Sequence, residues 1–576
     1  MLQILFHIIV ISVICFIWGL PVFLFANRKN LQKPCSLGEC FLFLFFSGLI
    51  LLSVVSSWLV LFMPLQFGYL VILTSLLLAC TYLTNKKNYR QTIHYLFQFR
   101  FRVTISNSIF LFAAILLFLV IGSARSVNID TQLYHLQIIR WTNEYGTVPG
   151  LANIYPRLGL GSAWFNLISF FYIPLFKNQN FTYLNCALVI WFFLWLFYKF
   201  KGTAKPEKKN APLRLFYLLL IIYFFFDWQL FRDTANSASY DFIVTVLIII
   251  FISFILESIL ESSTSELNIP LITIIALTVI SFKLSGAFIL ILLIWKLYEP
   301  KKISNWFVAF GAGLLILFPA LIRNYITTGY PLYPLSFSFG NPDWKLPAEL
   351  IRGIKNYIIV QNRYYNTAPL APRGIGFFSL HWIPFWFQGI LIQHKIVCIA
   401  ASLSFFLLFM KVGSTEMTKK IRIFIILLFF MSLGWFITAP DPRFGYGFLL
   451  WLAFFPVSLL IGRYIPLLIY KVIPWIITAG ICFYLYQKAA YIINDPEFLI
   501  HTSQTVQPSY SKIKNENLTY YEPEKVNNNI DKRCLFTPLP SMCRTNPYLM
   551  FRGKSLKNGF RMVPIVDSNF IKNYNY

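Results

Sequence analysis

Five charged or titratable side chains lie close together in one polar segment of an otherwise apolar chain. They are Asp130, His135, Arg140, Glu144 and Arg157. A carboxylate or a histidine can act as a general base, and an arginine guanidinium group can bind phosphate oxygens. The segment follows an apolar run over residues 108–122, where that run would leave a membrane. Charges at a bilayer boundary are unfavourable unless they face water, a partner or a ligand, so this segment is the first candidate site.

Further candidates lie at the ends of other apolar runs. Asp241 precedes one run, whereas Lys283, Arg323 and Arg443 each follow one, and Tyr325 comes shortly after Arg323. A cation at the outer end of a membrane helix opposes the usual enrichment of basic residues on the inner side. A lipid-linked phosphate or pyrophosphate would compensate these charges, because arginine binds phosphate in bidentate fashion and lysine as a point charge.

The composition shows that the elements positioning these residues are membrane helices. Hydrophobic residues make up 57% of the 576 residues, aromatic residues 19% and charged residues 12%. Runs of roughly 20 apolar residues, long enough to span a bilayer, occur for instance over residues 2–26, 40–62, 181–200, 213–231 and 471–487. The net charge is +27, and the Lys and Arg residues lie in short loops between these runs. This distribution indicates membrane topology and gives no reason to expect nucleic acid as a partner.

Placing the basic loops inside predicts about 14 spanning helices. The two large loops, residues 123–180 and 323–393, then lie outside together with a small soluble tail at residues 488–576. In this interpretation the aromatic stretches 162–176 and 377–387 lie along the outer interface as short helices. The fold class is therefore an all-α polytopic membrane protein with additional helices at residues 1–107, a core at 108–487 and the outer tail.

Several motifs resemble the GT-C superfamily of membrane glycosyltransferases over about residues 108–487. Asp130 lies just after a helix in the first outer loop, and Asp241 lies at the outer start of a later helix. The sequence Leu-Ile-Arg-Asn-Tyr-Ile-Thr-Thr-Gly-Tyr-Pro-Leu-Tyr-Pro at 321–334 is similar to a helix end and loop of many bacterial members. The chain looks most like a branch of poorly characterised bacterial multi-spanning proteins. It departs from the pattern where Thr131 replaces a second acid and where a Trp-Trp-Asp motif is absent.

The resemblance implies a GT-C-like helical bundle in the bacterial inner membrane with its active face outside. It implies an inverting transfer of a sugar from a polyprenyl-phosphate carrier to a glycan, lipid or protein acceptor. Asp130 is the candidate base, with Asp241, Glu144 and His135 as further catalytic candidates. The candidate groups for substrate and phosphate are Arg323, Tyr325, Lys283, Arg443, Arg140 and Arg157. No cofactor is implied with certainty, and a divalent cation stays open because some members of the superfamily use one and others do not.

Structural roles compete with these assignments. Asp130 could cap a helix or pair with Arg140 or Arg157, and Asp241 could simply favour the positive end of its helix dipole. Arg323 could extend to lipid headgroups. Two other functions also remain open: a polysaccharide polymerase or ligase, and a transporter or flippase, for which the broken apolar run at 269–297 would supply a discontinuous helix.

Two cysteines differ from the others by lying in the polar tail. Cys534 and Cys543 are close in sequence, and an oxidising compartment would permit a disulfide between them. The spacing alone leaves a disulfide and two free thiols equally open.

Overall fold

The computed structural model describes residues 1–26, 37–84, 86, 89, 104–174, 176, 181–202, 211–260, 268–299, 302–365, 379–409, 415–494, 500, 509–514, 518–524, 533–542 and 546–563. The chain is mostly helical, and most of its long helices are apolar along their whole length. The described residues form four short strands, all of them after residue 509. The expected all-α polytopic class is confirmed for the part that precedes these strands.

Helices are numbered here in chain order. The first ten are α1 Leu2–Ala26, α2 Leu37–Leu59, α3 Phe67–Thr84, α4 Ile105–Ser123, α5 Leu136–Glu144, α6 Ala163–Phe170, α7 Tyr183–Gly202, α8 Ala211–Phe226, α9 Trp228–Ala235 and α10 Asp241–Leu260. The others are α11 Ile269–Phe282, α12 Leu290–Tyr298, α13 Ile303–Thr328, α14 Ala348–Tyr364, α15 Ile383–Gly389, α16 Ile392–Leu403, α17 Thr415–Thr438, α18 Pro442–Ile461 and α19 Leu467–Asn494. Shorter turns of helix are a π-helix at Thr131–His135 and 3₁₀ helices at Leu151–Asn153, Pro156–Gly159, Leu284–Ile289, Ser404–Phe409 and Leu556–Asn558.

Eleven helices of the described chain are long and apolar enough to cross a membrane. Three shorter apolar helices accompany them, α8, α11 and the segment Leu284–Tyr298. A helix of 14 residues, such as α11, rises only about 21 Å, which is less than the thickness of the hydrocarbon core. The protein is therefore a multi-pass membrane protein, and the figure of about 14 spans stays a prediction that depends on these three.

The apolar run at residues 269–297 is broken in the structure, as its sequence indicates. Helix α11 ends at Phe282, and Lys283 has an extended backbone with φ −153° and ψ 124°. A 3₁₀ helix then leads into α12. Because the helix ends here, the side chain of Lys283 can reach Asp241 at the start of α10.

The stretch at residues 162–176, expected at the outer interface, has its helical part buried inside the protein. It forms α6, only 8 residues long and too short to cross a bilayer. Trp164 and Phe165 are fully buried inside the protein, and α6 packs against α2 and α5. The sequence does not reveal this burial, because a buried aromatic helix and an interfacial one have the same composition. Burial depends on neighbours that are distant in sequence.

The second aromatic stretch, residues 377–387, also contributes to the core where it is described. Trp382 and Trp386 on either side of the start of α15 are buried, whereas Leu380 and Phe387 are exposed. The indole Nε1 of Trp386 donates a hydrogen bond to the carbonyl of Pro440 at 2.6 Å. Both tryptophans are therefore buried in the protein core, and Trp386 anchors the turn before α18.

The first three helices share one hydrophobic core with the rest of the bundle. Helices α1 and α2 approach each other closely because Gly48 faces the backbone of α1. A Cβ atom at this position would overlap the carbonyl of Cys15. Small residues allow such close helix packing, which replaces the hydrophobic driving force that lipid removes. Trp58 of α2 also donates to the carbonyl of Leu315 on α13 at 2.9 Å.

The last part of the described chain, residues 509–563, is called the appendix below. It contains two antiparallel hairpins, Tyr510–Lys514 with Thr519–Pro523 and Leu549–Phe551 with Phe560–Met562. Several of its side chains join the main core. Cys534 is disulfide-bonded, while Cys543 lies outside the described residues. The appendix is thus packed onto the loops of the bundle and is not a detached tail.

The topology can be tested at two exposed positions on helices α14 and α17. The side chains of Arg352 on α14 and Glu416 on α17 are 71% and 77% exposed. The basic-loop topology puts the first outside the cell and the second inside. We expect an impermeant maleimide added to intact cells to label Arg352→Cys and to label Glu416→Cys only after permeabilisation, with the parent chain as background. Equal labelling of both positions in intact cells would contradict this topology.

Candidate functional site

The polar segment after α4 enters the bundle through a π-helix, Thr131–His135. Asp130 precedes this turn, makes no side-chain capping hydrogen bond and keeps 40% of its side chain exposed. The residues of the turn itself are buried. Single π-turns occur frequently at functional sites, since the wider turn changes the direction of the following side chains. The helix-cap interpretation of Asp130 is not supported by this geometry.

His135 lies at the buried end of the same turn. Its Nδ1 is 3.4 Å from the hydroxyl of Thr131, and its ring lies against Phe165 and Tyr240 with centroids 4.9 and 5.6 Å away. Burial lowers the pKa of His135 to about 4, although the charges of Asp130 and Asp241 oppose this shift. The imidazole is therefore neutral at physiological pH and can accept or donate a hydrogen bond.

An ion pair at 2.6 Å joins the Nζ atom of Lys283 to the Oδ1 atom of Asp241. The two residues are 42 positions apart. They meet because α10 begins at Asp241 and the break after α11 directs the side chain of Lys283 toward it. Both side chains are mostly buried, at 17% and 13% exposure for Asp241 and Lys283. The ammonium group also faces the rings of Phe444 and Tyr240.

A second ion pair lies at the start of α18. The guanidinium group of Arg443 donates from Nε and Nη2 to the carboxylate of Asp441 at 2.8 to 3.2 Å. Asp441 is almost fully buried, whereas 38% of the Arg443 side chain is exposed. The carbonyl of Asp441 accepts from the indole of Trp435 at 2.8 Å. This fixed turn presents the arginine toward the same region as Lys283, whose ammonium group lies over the ring of the next residue, Phe444.

These charged groups converge. The charges of Asp130, Asp241, Lys283 and Arg443 all act on the imidazole of His135. They come from four separate parts of the chain, namely the π-turn, the start of α10, the break after α11 and the start of α18. The rings of Tyr134 and Tyr240 join them, because their hydroxyl groups are hydrogen-bonded to each other.

Arg157 adds a further cation beside Asp130. Its Nη1 atom is 4.0 Å from the Oδ1 atom of Asp130, and only 14% of its side chain is exposed. The guanidinium group lies over the ring of Tyr357 on α14 at 4.4 Å. A contact of 4.0 Å is a loose ion pair, so Asp130 keeps oxygen atoms available for another partner.

Arg323 differs from the other cations because it contacts no carboxylate within the described chain. It is 8% exposed, its Nη2 atom donates to Asn324 at 3.2 Å, and its Nε atom has no hydrogen-bond partner. A Cβ atom at Gly161 would lie only 2.8 Å from the guanidinium carbon. The next residue, Ser162, donates to the carbonyl of Phe282 at 2.7 Å, beside Lys283. Arg323 thus packs against Gly161, whose neighbour Ser162 bonds to the residue before Lys283, and its side chain is buried in the protein.

Three of the candidate residues lie elsewhere. Arg140 and Glu144 pair with each other at 2.9 Å, and the arginine also donates to two carbonyls of the appendix. The hydroxyl of Tyr325 donates to the carbonyl of Phe339 at 2.9 Å. These contacts hold loops in place and do not bring the three side chains to His135.

A buried polar cluster escaped the sequence interpretation. Asp227 is fully buried between α8 and α9 and accepts from the hydroxyls of Tyr223 and Tyr446 at 2.9 and 2.5 Å. The Nε2 atom of His394 lies 3.7 Å from the same carboxylate. Tyr446 lies one turn after Arg443 on α18. The polar cluster around Asp227 therefore holds the part of α18 that follows the arginine. The only sequence signal was a single acid after the aromatic run Tyr-Phe-Phe-Phe at 223–226.

No group of three or more His, Cys, Asp or Glu side chains in the described chain is arranged to hold a metal ion. Asp130, Asp241 and Asp441 each have a cationic neighbour instead. We therefore assign no metal ligands and derive the chemistry of the site from its own side chains.

The pKa of His135 predicts a pH dependence. Above about pH 6.5 the imidazole is neutral in both the folded and the unfolded chain. As the pH falls from 6.5 toward 4, the unfolded chain takes up a proton that the folded site excludes, so folding stability falls by up to about 3 kcal/mol. We expect His135→Gln to reduce the loss of apparent Tm between pH 7 and pH 4.5 in detergent. The exposed His381 serves as the matched control, and an equal reduction in His381→Gln would rule out burial as the cause.

Comparison with known proteins yields one family. No curated protein and no solved structure matches the chain. The model of a family described as a domain of unknown function, DUF8201, matches residues 1–450. This range includes the three N-terminal helices and every residue of the charged cluster. The chain therefore belongs to the DUF8201 family.

Proposed function

We propose that the protein is a membrane glycosyltransferase that moves a sugar from a polyprenyl-phosphate carrier to an acceptor hydroxyl on the outer face of the membrane. The proposal rests on the charged cluster and on the sequence resemblance described above. The acceptor class is a glycan, a lipid or a protein. In this proposal the cell is bacterial and the membrane is its inner membrane.

One observation carries the proposal. The cluster contains three carboxylates, Asp130, Asp241 and Asp441, and three cations, Arg157, Lys283 and Arg443. A fourth cation, the buried Arg323, packs against Gly161 and has no carboxylate partner in the described chain. A buried guanidinium group without a counter-ion is unfavourable. An anionic ligand would remove this penalty. A lipid-linked phosphate is an anion that reaches such a site from the membrane.

The carboxylate suited to proton transfer is Asp130. It is 40% exposed and only loosely paired, whereas Asp241 and Asp441 are held by short ion pairs. In the proposed reaction Asp130 accepts the proton of the acceptor hydroxyl as its oxygen bonds to the anomeric carbon. The bond from that carbon to the phosphate oxygen breaks, and the electron pair leaves with the polyprenyl phosphate. Attack opposite the leaving group inverts the anomeric configuration.

The cations have a separate role in this reaction. The departing phosphate gains negative charge, which preorganised donors stabilise most strongly where water is excluded. The planar guanidinium group of Arg323 supplies several N–H donors for the phosphate. The exposed part of the Arg443 side chain is available to the phosphate as well. Lys283 is engaged by Asp241 at 2.6 Å. We assign this pair to fixing the geometry of the site, with the ammonium group adding positive potential.

A lipid-linked glycan transporter is the second candidate, favoured by the break at Lys283 between two short helices. Discontinuous helices form binding sites in many transporters. Such a protein needs cations for the phosphate but no base. The two functions therefore differ in their need for the Asp130 carboxylate.

We expect Asp130→Asn to lower glycan formation by about 10² to 10⁴ while the protein accumulates normally in the membrane, because the amide cannot accept the proton. The measurement is a glycan comparison between cells that carry the parent chain, the variant or no copy of the gene. Asp343→Asn, which removes another acid from a loop on the same face, is the control and should behave like the parent. Normal glycan formation in Asp130→Asn would exclude Asp130 as the base.

We also expect Arg323→Lys to retain less polyprenyl phosphate on purification, because a point charge cannot reproduce a bidentate fork. Arg323→Ala should retain still less, at roughly tenfold below the parent or lower. Mass spectrometry of lipids extracted from purified protein gives the measurement, and Arg352→Lys on the exposed face of α14 is the matched control. Parental lipid retention in Arg323→Ala would remove this residue from the phosphate site.

A further inference from the structure

The appendix makes several hydrogen bonds to the π-helix and to the start of α5 that follows it. The backbone N–H of Leu535 donates to the carbonyl of Gln132 at 2.9 Å, and the side chain of Gln137 donates to the carbonyl of Leu535 at 2.8 Å. Arg533 donates through Nη1 to the side-chain oxygen of Gln132. Arg140 donates to two further carbonyls at 2.7 and 3.0 Å. These contacts link residues nearly 400 positions apart in the chain.

Leu535 has an unusual backbone conformation at this contact. Its φ is +39°, a left-handed backbone that is unfavourable for a leucine. This conformation accompanies the bonds that its N–H and its carbonyl make to the same helical segment. Residues in such conformations persist when the surrounding structure holds them, and they concentrate at functional sites. The neighbouring Cys534 is buried and disulfide-bonded, which further restricts the turn.

Gln132 lies between the appendix and the reacting groups. Its amide nitrogen donates to the carbonyl of Ser126 at 2.6 Å, so its side chain joins Arg533 to the chain entering the π-helix. On the other side of the same turn, the hydroxyl of Thr131 accepts from the backbone N–H of Ala238 at 3.1 Å. The π-helix is therefore held from two sides, and Asp130 lies immediately before the held residues.

We propose that residues 533–537 of the appendix are a positioning element that fixes the π-helix and thereby the carboxylate of Asp130, with Arg533 as the principal positioning residue. The proposal rests on the proposed function for the role of Asp130, whereas the mechanical link itself does not. Without the link, the turn loses its hydrogen bonds to the appendix and keeps the one between Thr131 and Ala238. A displacement of about 1 Å of a reacting group can cost roughly a hundredfold in rate.

The link is tested by hydrogen exchange of purified full-length protein. We expect Arg533→Ala to speed deuterium uptake in peptides that cover residues 126–140, and Arg533→Lys to restore protection because its ammonium group can still donate to Gln132. Arg552→Ala is the matched control, since Arg552 is also an appendix arginine but pairs with Asp343 at 2.9 Å, away from the π-helix. Gln137→Leu, which removes one donor at similar volume, provides a milder variant if Arg533→Ala does not accumulate. Unchanged uptake in both Arg533→Ala and Gln137→Leu would overturn the proposal.

The functional arm uses the same variants. We expect glycan formation per amount of membrane protein to fall about tenfold to a hundredfold in Arg533→Ala, with recovery in Arg533→Lys and unchanged retention of polyprenyl phosphate. Faster exchange with normal glycan formation, in cells where Asp130→Asn abolishes it, would overturn the positioning role. Normal glycan formation in Asp130→Asn would instead refute the proposed function, and the exchange result would still decide the mechanical link.

Discussion

The ion pair between Asp241 and Lys283 joins two interruptions of the helical bundle, the start of α10 and the break after α11. Each residue alone would be a mostly buried charge at the end of an apolar helix. Leaving one member of a buried pair without its partner costs several kcal/mol. The pair therefore fixes where α10 begins relative to the broken helix. The rings of Phe444 and Tyr240 lie around the ammonium group, so the start of α18 and the turn before α10 are tied to the same point.

The site also depends on polar groups that take no part in the proposed reaction. Asp227 binds two tyrosine hydroxyls and lies beside His394. It holds α18 one turn after Arg443. The indoles of Trp386 and Trp435 bind the carbonyls of Pro440 and Asp441, which fixes the turn that presents the arginine. A polar group inside a bilayer must find partners within the protein. The hydrogen bonds among these groups thus also orient the charged cluster.

Charge distribution gives the cluster its chemical character. Its three carboxylates differ in exposure and pairing, and the difference separates the proposed base, the partly exposed Asp130, from carboxylates that hold cations in place. Arg323 stands apart because Gly161 leaves room for its guanidinium group and no carboxylate in the described chain meets it. A preorganised cation that is not neutralised by the protein itself is suited to a ligand that brings its own negative charge.

The sequence by itself determined the class of protein and most of the members of the cluster. Apolar runs and the few charges at their ends are local features, and the cost of charge in a membrane makes them informative without any tertiary contact. Asp130, His135, Arg157, Asp241, Lys283 and Arg443 were singled out in this way. Tertiary structure alone decided which of the candidates meet, because Arg140, Glu144 and Tyr325 satisfy the same sequence rule but make their bonds elsewhere. It also decided that the aromatic helix α6 is core and that the appendix holds the π-helix, since burial and long-range hydrogen bonds depend on neighbours that no local pattern specifies.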